Sequence, residues 1–392
     1  MRGSIRKRYQ DSWSIILDLG YQVDPTTGKQ KRLQKWVTVK GTKRDAERKL
    51  TEFLHSIHRG EYVEPSKQTV GECLTEWLKT AIKPPSKRLR TYETYKSVIE
   101  RHLKPAFGHL RVQQLKPTDI MRYYNESLLS PTTLEQHHTI IHSALQAAQL
   151  QGLVQRKATS LVIGKPHRPE GREDVLKHCW EAAEARQFIA AAKEQGPQPA
   201  AFYTVALDSG ARKGELCGLQ WKDINLDTGQ ISFVRQLIKP GLSPIFGPLK
   251  NGESRTISIA PETVALLRKH KAHQAELKLA NHVHYHDHGL AFAKEWEHLK
   301  RHGDTLGHPL QINNIGQHEC LRLIKAAGVR PIKFHGLRHT CATLLLQAGV
   351  PIKVVQERLG HKRIEITLNI YAHALPSMQQ DAAAKLAALL HT

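Results

Sequence analysis

Several things are missing from this chain of 392 residues, and each absence narrows what it can be. No uninterrupted apolar run comes near the roughly 18 residues that a membrane helix needs, so no membrane span is expected. The five cysteines, Cys73, Cys179, Cys217, Cys320 and Cys341, are scattered, and none forms a CxxC pair. Neither a disulfide frame nor a cysteine zinc site is therefore indicated. The opening MRGSIRKRYQDSW carries the charges of a secretory leader without the apolar stretch that would follow, which points to the cytosol or nucleoid. There is no internal repeat, no phosphate-binding glycine loop and no carboxylate cluster suited to two metals. Acidic residues are scarce: 36 Asp and Glu stand against 58 Lys and Arg, a formal net charge of +22. Such an excess on a folded chain points to a polyanionic partner, most often nucleic acid. A basic surface kept for solubility is the plainer alternative. A membrane surface is a third, but no long basic helix with a broad apolar face supports it.

What is present reads as a folded α+β multidomain protein. Apolar residues make up 40% and charged residues 24%, close to globular averages, and the length suits two or three domains. Residues 1–65 read as a small three-stranded sheet plus a helix. Trp13, Ile15 and Leu17 share one face of a strand, Asp24-Pro25-Thr26-Thr27-Gly28 is a turn signal, and Trp36, Val37 and Val39 form a return strand. From Thr42 the spacing of Leu50, Phe53, Leu54 and Ile57 predicts a helix, with Gly60 at its C-terminal cap. Fourteen Lys and Arg against eight Asp and Glu make this segment basic, so a strand face could enter a DNA groove; a small domain with solvated lysines is the alternative. Residues 66–160 read as a helical bundle. Thr69 and Glu72 form a capping-box pattern ahead of the apolar stripe Leu74, Trp77, Leu78 and Ile82, and Pro84-Pro85-Ser86 ends that helix. Further helices are predicted over Thr91–Leu103, Pro117–Leu128 and Pro131–Leu150, with Pro117 and Pro131 in first turns. Residues 161–178 read as a linker, and 179–392 as one mainly α domain with a small antiparallel sheet. In that sheet Ile231–Leu237 and Ser254–Ile259 read as strands, and Asn251-Gly252 as a hairpin-type turn directly after Lys250.

Four pieces of the last domain carry chemistry. In Ser209-Gly210-Ala211-Arg212-Lys213-Gly214-Glu215-Leu216 one helix ends near Gly210 and another begins, with Arg212 at the junction; a surface Arg–Glu pair is the bland reading. Lys250 sits at a hairpin tip that could carry it into a groove, or is simply an exposed turn lysine. His335 and Arg338, three apart on a helix, share one face and should point outward while Leu337, Leu344 and Leu345 face inward. Gly360 caps another helix and exposes His361, and Leu368 and Ile370 are expected to anchor a short helix bearing Tyr371, which otherwise reads as a structural tyrosine. Residues 281–308 form a His-rich connection in which His282, His284, His286 and His288 alternate. A solvated loop is the favoured reading there over a metal site.

Taken in order, Ala211-Arg212-Lys213-Gly214-Glu215-Leu216, Lys250, His335-Gly336-Leu337-Arg338-His339-Thr340, Leu359-Gly360-His361 and Tyr371 resemble the signature of the tyrosine recombinase (phage integrase) family. Each motif is common alone; six in order are specific. The resemblance is strong from residue 179 onward and looser over the helical region, which looks like the family's core-DNA-binding domain. Residues 1–65 resemble its arm-site-binding domain. The resemblance implies that Tyr371 attacks the scissile phosphate to form a 3′-phosphotyrosine, Arg212 and Arg338 clamp the non-bridging oxygens, and Lys250 protonates the leaving 5′-oxygen. It implies hydrogen bonding and proton handling by His335 and His361, with Glu215 holding the Arg212 turn. No cofactor, metal or ATP is implied, because the phosphotyrosine bond keeps the energy for resealing. The implied partners are double-stranded DNA at core and arm sites and three further copies of the chain in a tetramer, in the cytoplasm on the host nucleoid. Whether an excision factor or DNA-bending protein takes part stays open. The tail stripe Met378, Ala382, Leu386, Leu389 and Leu390 could pack on its own domain or on a neighbouring subunit. Two rivals remain at this stage: a non-catalytic DNA-binding regulator, and a relaxing topoisomerase of type IB character.

Overall fold

The computed structural model describes residues 3–9, 11–23, 30–58, 63–166, 175–250, 252–295 and 306–371, together with positions 387, 388 and 390. The turn expected at Asp24–Gly28, the cap at Gly60, Asn251, the middle of the linker and most of the tail stripe lie outside the described residues, as does the Tyr371 side chain. Two compact units emerge, Met1–Glu170 and Gly171–Thr392. Among the described residues no helix is long and apolar enough to cross a membrane.

The first unit opens with three antiparallel strands, β1 (Gly3–Tyr9), β2 (Ser12–Val23) and β3 (Gln30–Lys40), followed by helix α1 (Lys43–His58). Register explains the two faces of this sheet. Ile15 pairs with Ile5 and Val37, and Ile15 and Leu17 are buried. The opposite face carries the rows Arg6–Ser14–Thr38 and Ser4–Ile16–Trp36, and Trp36 is 57% exposed. Helix α2 (Val70–Trp77) begins with the capping box read from the sequence: Thr69 N donates to Glu72 at 2.8 Å, and Glu72 N donates to the Thr69 hydroxyl at 3.2 Å. Leu74, Trp77, Leu78 and Ile82 enter the core of the bundle, which α3 (Leu89–Val98), α4 (Pro117–Glu126) and α5 (Pro131–Leu150) complete.

The second unit is built around α6 (Ala182–Glu194) and α7 (Pro197–Ser209). Helix α7 is buried on nearly every side, which fits a sequence, PQPAAFYTVALDS, with little polar stripe. The short α8 (Lys213–Cys217) follows, then strands β4 (Ile224–Asn225), β5 (Gln230–Phe233), β6 (Gln236–Lys239), β7 (Ile245–Gly247) and β8 (Arg255–Ser258). Helices α9 (Pro261–Ala280), α10 (Cys320–Ala327), α11 (Phe334–Gln347), α12 (Ile352–Leu359) and α13 (Ile364–Tyr371) complete the unit.

Two local expectations are corrected here. The strand expected over Ile231–Leu237 breaks at Val234-Arg235, where Arg235 pairs with Asp223; its halves join different partners, β5 with β8 and β6 with β7. Hence β7 and β8 do not form a hairpin with each other. Lys250 instead stands in a turn closed by Gly252 N donating to Leu249 O at 2.9 Å, which leads into β8. The His-rich connection is also not simply a solvated loop. Leu290, Ala291, Phe292 and Ala293 are buried, and Phe292 lies between Phe202 and the ring of His270, stacked 5.4 Å away. Apolar burial holds residues 290–293, whereas His282, His284 and His286 are exposed as a solvated loop requires, and His288 Nε2 lies 3.3 Å from Nδ1 of the buried His308. Among the described residues no group of three or more His, Cys, Asp or Glu is arranged to hold a metal ion.

Candidate active site

Two helix ends create the site. Helix α7 stops at Gly210 (φ +59°) and α12 stops at Gly360 (φ +64°), both left-handed caps that favour glycine. At Gly210 a Cβ would also lie 2.6 Å from the Leu359 side chain, so the two ends approach closely. A helix end leaves its terminal carbonyls without intrahelical donors, and here arginines take carbonyls at both ends. Arg338 donates Nη1 to Gly210 O at 2.8 Å and Nη2 to Leu359 O at 2.6 Å. Arg212 donates Nη2 to the next carbonyl, Gly360 O, at 3.5 Å. Both guanidinium groups therefore converge on the three-residue segment that ends in His361.

Arg338 is 2% exposed, so it does not point outward as its helical position suggests. The reason is local: the carbonyls of two helix ends lie inside the fold, and only a long donor on α11 reaches both. Arg212 keeps a side chain 21% exposed and donates Nη1 to Glu215 Oε1 at 2.9 Å, while its backbone N donates to Glu215 Oε2 at 3.0 Å. Glu215 is 1% exposed and receives a second guanidinium, Arg255 Nη2, at 2.7 Å. Burial opposes its ionisation, but Arg255 and then Arg212 outweigh burial and hold its carboxyl below the ordinary value. Glu215 thus holds the Arg212 turn, as the sequence suggests.

The histidines feel this concentration of charge. His335, with an exposed edge, has its pKa lowered to about 4 by desolvation, then by His339, Arg338, Arg212 and Lys250. His361 is lowered to about 3 by desolvation, then by Arg338, Arg212, His335 and His339. Both imidazoles are neutral at pH 7 in the DNA-free protein. Lys250 is exposed in its turn, within electrostatic reach of His335. Arg212 and Arg338 thus meet at the segment that ends in His361, with His335 and, through it, Lys250 in electrostatic reach. His361 Nδ1 also hydrogen-bonds Thr367 Oγ1 at 2.8 Å. Thr367 is fully buried, whereas Leu368 is 39% exposed. Of the two expected anchors, Leu368 is not buried and the Ile370 side chain lies outside the described residues, while Thr367 ties α13, with Tyr371 as its last residue, to His361.

A measurable consequence follows from the two histidines. Unfolded, they ionise near their ordinary pKa of 6.5; folded, only near 4 and 3. The unfolded chain then binds more protons below that value, so stability falls as pH drops from about 6.5 toward 4, and the effect vanishes above it. A His335→Asn/His361→Asn variant is expected to show a shallower acid limb in melting temperature against pH than the wild type. An identical limb would show that these imidazoles are not held neutral.

Sequence reasoning missed Arg255, Arg358 and Asp208. Arg358 donates Nη2 to the Asp208 carboxylate at 2.6 Å and Nη1 to Ser258 O at 2.9 Å. It so joins α12, α7 and the end of β8. These pairs are separated by 40 residues or more and leave no periodic or motif signal.

The phage integrase family model matches residues 179–378, and that of the phage integrase N-terminal SAM-like domain matches 69–128. A tyrosine recombinase XerC-like protein of Caldanaerobacter subterraneus is 28% identical over 360 residues, covering 87% of this chain and 88% of that one. The ICEBs1 integrase of Bacillus subtilis is 24% identical over 391 residues, covering 99% and 100%. The fold is similar to that of the Tn1549 transposon integrase in complex with a circular intermediate DNA, with TM-score 0.63, 19% identity and coverage of 82% and 100%. A lambda integrase tetramer bound to a Holliday junction aligns with TM-score 0.56, 17% identity and coverage of 92% and 95%. With its family model spanning just over half of its length and Arg212 and Arg338 anchored on the same two helix ends, the chain belongs to the phage integrase family of tyrosine-type site-specific recombinases.

Proposed function

We propose that this protein recombines DNA at specific sites by breaking and rejoining strands through a 3′-phosphotyrosine, and that the pocket between Gly210 and Gly360 holds the scissile phosphate. The observation that carries this reading is the anchoring of Arg212 and Arg338 on adjacent carbonyls, Gly360 O and Leu359 O, beside His361. A phosphodiester repels an anionic nucleophile, and charge grows on its non-bridging oxygens in the transition state. Fixed guanidinium groups meet that charge without reorganising. Tyr371 Oη attacks phosphorus, and the 5′-oxygen leaves with a proton from Lys250. Neutral His335 and His361 donate hydrogen bonds or relay protons. The reverse attack of a 5′-hydroxyl on the phosphotyrosine reseals the strand, so neither ATP nor a metal enters the cycle. Sequencing the DNA that becomes covalently bound to the protein on nicked suicide substrates tests the assignment. Trapped DNA without a recurrent sequence would replace it with a relaxing topoisomerase.

The domain roles belong to the same proposal: residues 1–65 bind arm-type sites, 66–160 clamp core DNA, 161–178 link, and 179–392 catalyse within a tetramer on DNA. The solvent face of the N-terminal sheet supports the first role. Arg6, Arg8, Trp36, Thr38 and Lys40 are exposed, and Arg8 Nη1 donates to Thr38 Oγ1 at 3.2 Å, which places it on that face. Cations there neutralise phosphates while Trp36 supplies apolar contact to base edges. Arg6→Ala/Trp36→Ala is expected to lose retention of arm-type duplexes in gel shifts, yet cleave a short core-site duplex at the wild-type rate. Normal arm retention would remove this role from the sheet.

A further inference from the structure

We infer that Arg255 is a positioning residue of the active site: it aims the Arg212 guanidinium through Glu215 and fixes the Leu359–His361 segment through the carbonyl of Arg358. The inference rests on the proposed reading of the pocket as a phosphate site. Arg255 opens β8, five residues after Lys250, and its side chain is 9% exposed. Two of its guanidinium nitrogens carry hydrogen bonds. Nη2 donates to Glu215 Oε2 at 2.7 Å, and Nε donates to Arg358 O at 2.8 Å. A Cβ on Gly360 would lie 3.0 Å from Nη1, so that edge rests against the α12 cap. One side of the planar group lies over the Phe233 ring, with its central carbon 4.6 Å from the ring centroid.

These contacts place one side chain among three separate pieces of the pocket. Glu215 Oε1 takes Arg212 Nη1, while Oε2 takes both Arg212 N and Arg255 Nη2. With Arg255 present the carboxylate is held from both ends, and its Oε1 lone pair dictates where Arg212 points. Without Arg255 the carboxylate can turn, and the Arg212 fork turns with it. The bond to Arg358 O acts on the other wall, because that carbonyl immediately precedes Leu359 and Gly360, whose carbonyls orient Arg338 and Arg212. The strand holding Arg255 is fixed in turn by β5, in which Phe233 pairs directly with Arg255. The turn carrying Lys250 feeds into this strand, so the same residue registers the lysine against the arginines. Lysine cannot substitute, since one ammonium cannot reproduce the fixed spacing of the Nε and Nη2 bonds to Arg358 O and Glu215.

Three variants test the inference on the full-length protein. Arg255→Lys keeps a cation beside Glu215 and loses the bond to Arg358 O. Arg255→Met leaves Glu215 buried beside one cation fewer and risks the fold. Arg255→Met/Glu215→Gln removes that buried charge. Each is measured for melting temperature, for affinity to a core-site duplex, and for single-turnover formation of covalent adduct on a nicked suicide substrate. The expected result is that Arg255→Lys and the double variant melt near the wild type and bind DNA normally, yet form adduct roughly 10–100-fold more slowly, the scale of loss for a small misplacement of reacting groups. In an Arg212→Lys background, Arg255→Lys is expected to slow the reaction by a smaller factor than in the wild type, since one of the two groups it positions is already altered. A purely structural arginine would slow both backgrounds equally. Adduct formation at the wild-type rate in Arg255→Lys or in the double variant would overturn the inference. So would equal slowing by Arg255→Lys in the two backgrounds. Wild-type protein that forms no adduct at all would instead overturn the reading of the pocket.

Discussion

Tyr371→Phe is expected to abolish covalent protein–DNA adducts on suicide substrates completely while leaving affinity for the same duplex unchanged. The phenolic oxygen is the atom that bonds to phosphorus, and a benzyl ring offers no substitute nucleophile. The cations that draw in the phosphate are untouched, since Arg212 and Arg338 are held by Gly360 O, Gly210 O and Leu359 O. Helix α13 also keeps its tether, because Thr367 bonds His361. Denaturing electrophoresis of labelled substrate reads the adduct and a gel shift reads binding. Adduct that survives in the variant would move the nucleophile to another side chain. Binding lost together with adduct would mean that the tyrosine is part of the DNA-binding surface.

The second large effect separates the two arginines. Arg338→Ala is expected to lose both chemistry and fold, whereas Arg212→Ala loses chemistry with little change in melting temperature. Arg338 is 2% exposed and satisfies two carbonyls that face each other across helix ends. Charged hydrogen bonds contribute about 1.5–3 kcal/mol each, and unsatisfied acceptors are left behind, so a loss of about 3–5 kcal/mol is expected. Against a total stability of about 5–15 kcal/mol, that is a large fraction. For a unit of this size it corresponds to a fall of roughly 6–20 °C in melting temperature. Arg212 has a side chain 21% exposed, and its partner Glu215 retains Arg255 when it is removed. Either loss is expected to slow cleavage by about 10²–10³-fold, the cost of removing one preorganised donor. Differential scanning fluorimetry beside the adduct assay checks the contrast. Equal melting temperatures for the two variants would show that the buried bonds of Arg338 contribute nothing to the fold.

The parts legible in the sequence are those governed by neighbours. Thr69 and Glu72 are three residues apart, so their capping box could be read and is present. Gly210 and Gly360 mark helix ends because only glycine takes the left-handed cap without strain, and each ends its helix as expected. Arg212, Lys250, His335, Arg338 and His361 were named by their resemblance to a family signature, and the fold holds Arg212 and Arg338 on the carbonyls that precede His361. What was hidden depends on residues far apart. Arg338 has a helical position that suggests solvent, but two distant carbonyls draw it inward. Leu368 looked like an anchor by hydropathy, yet Thr367 is buried because its hydroxyl meets an imidazole across a turn. The break at Val234-Arg235 follows from the Arg235–Asp223 ion pair and from β8 choosing β5, neither of which leaves a periodic trace.

The two glycine-capped helix ends have one more implication. Carbonyl dipoles aim the Arg338 fork without bringing a formal negative charge to it through those bonds, so they steer the group but do not neutralise it. A carboxylate in the same place would hold the side chain equally well and compete with the incoming nucleic acid for it. Selecting dipoles over an anion at these two positions orients the guanidinium in advance while the bonds that aim it leave its charge in place.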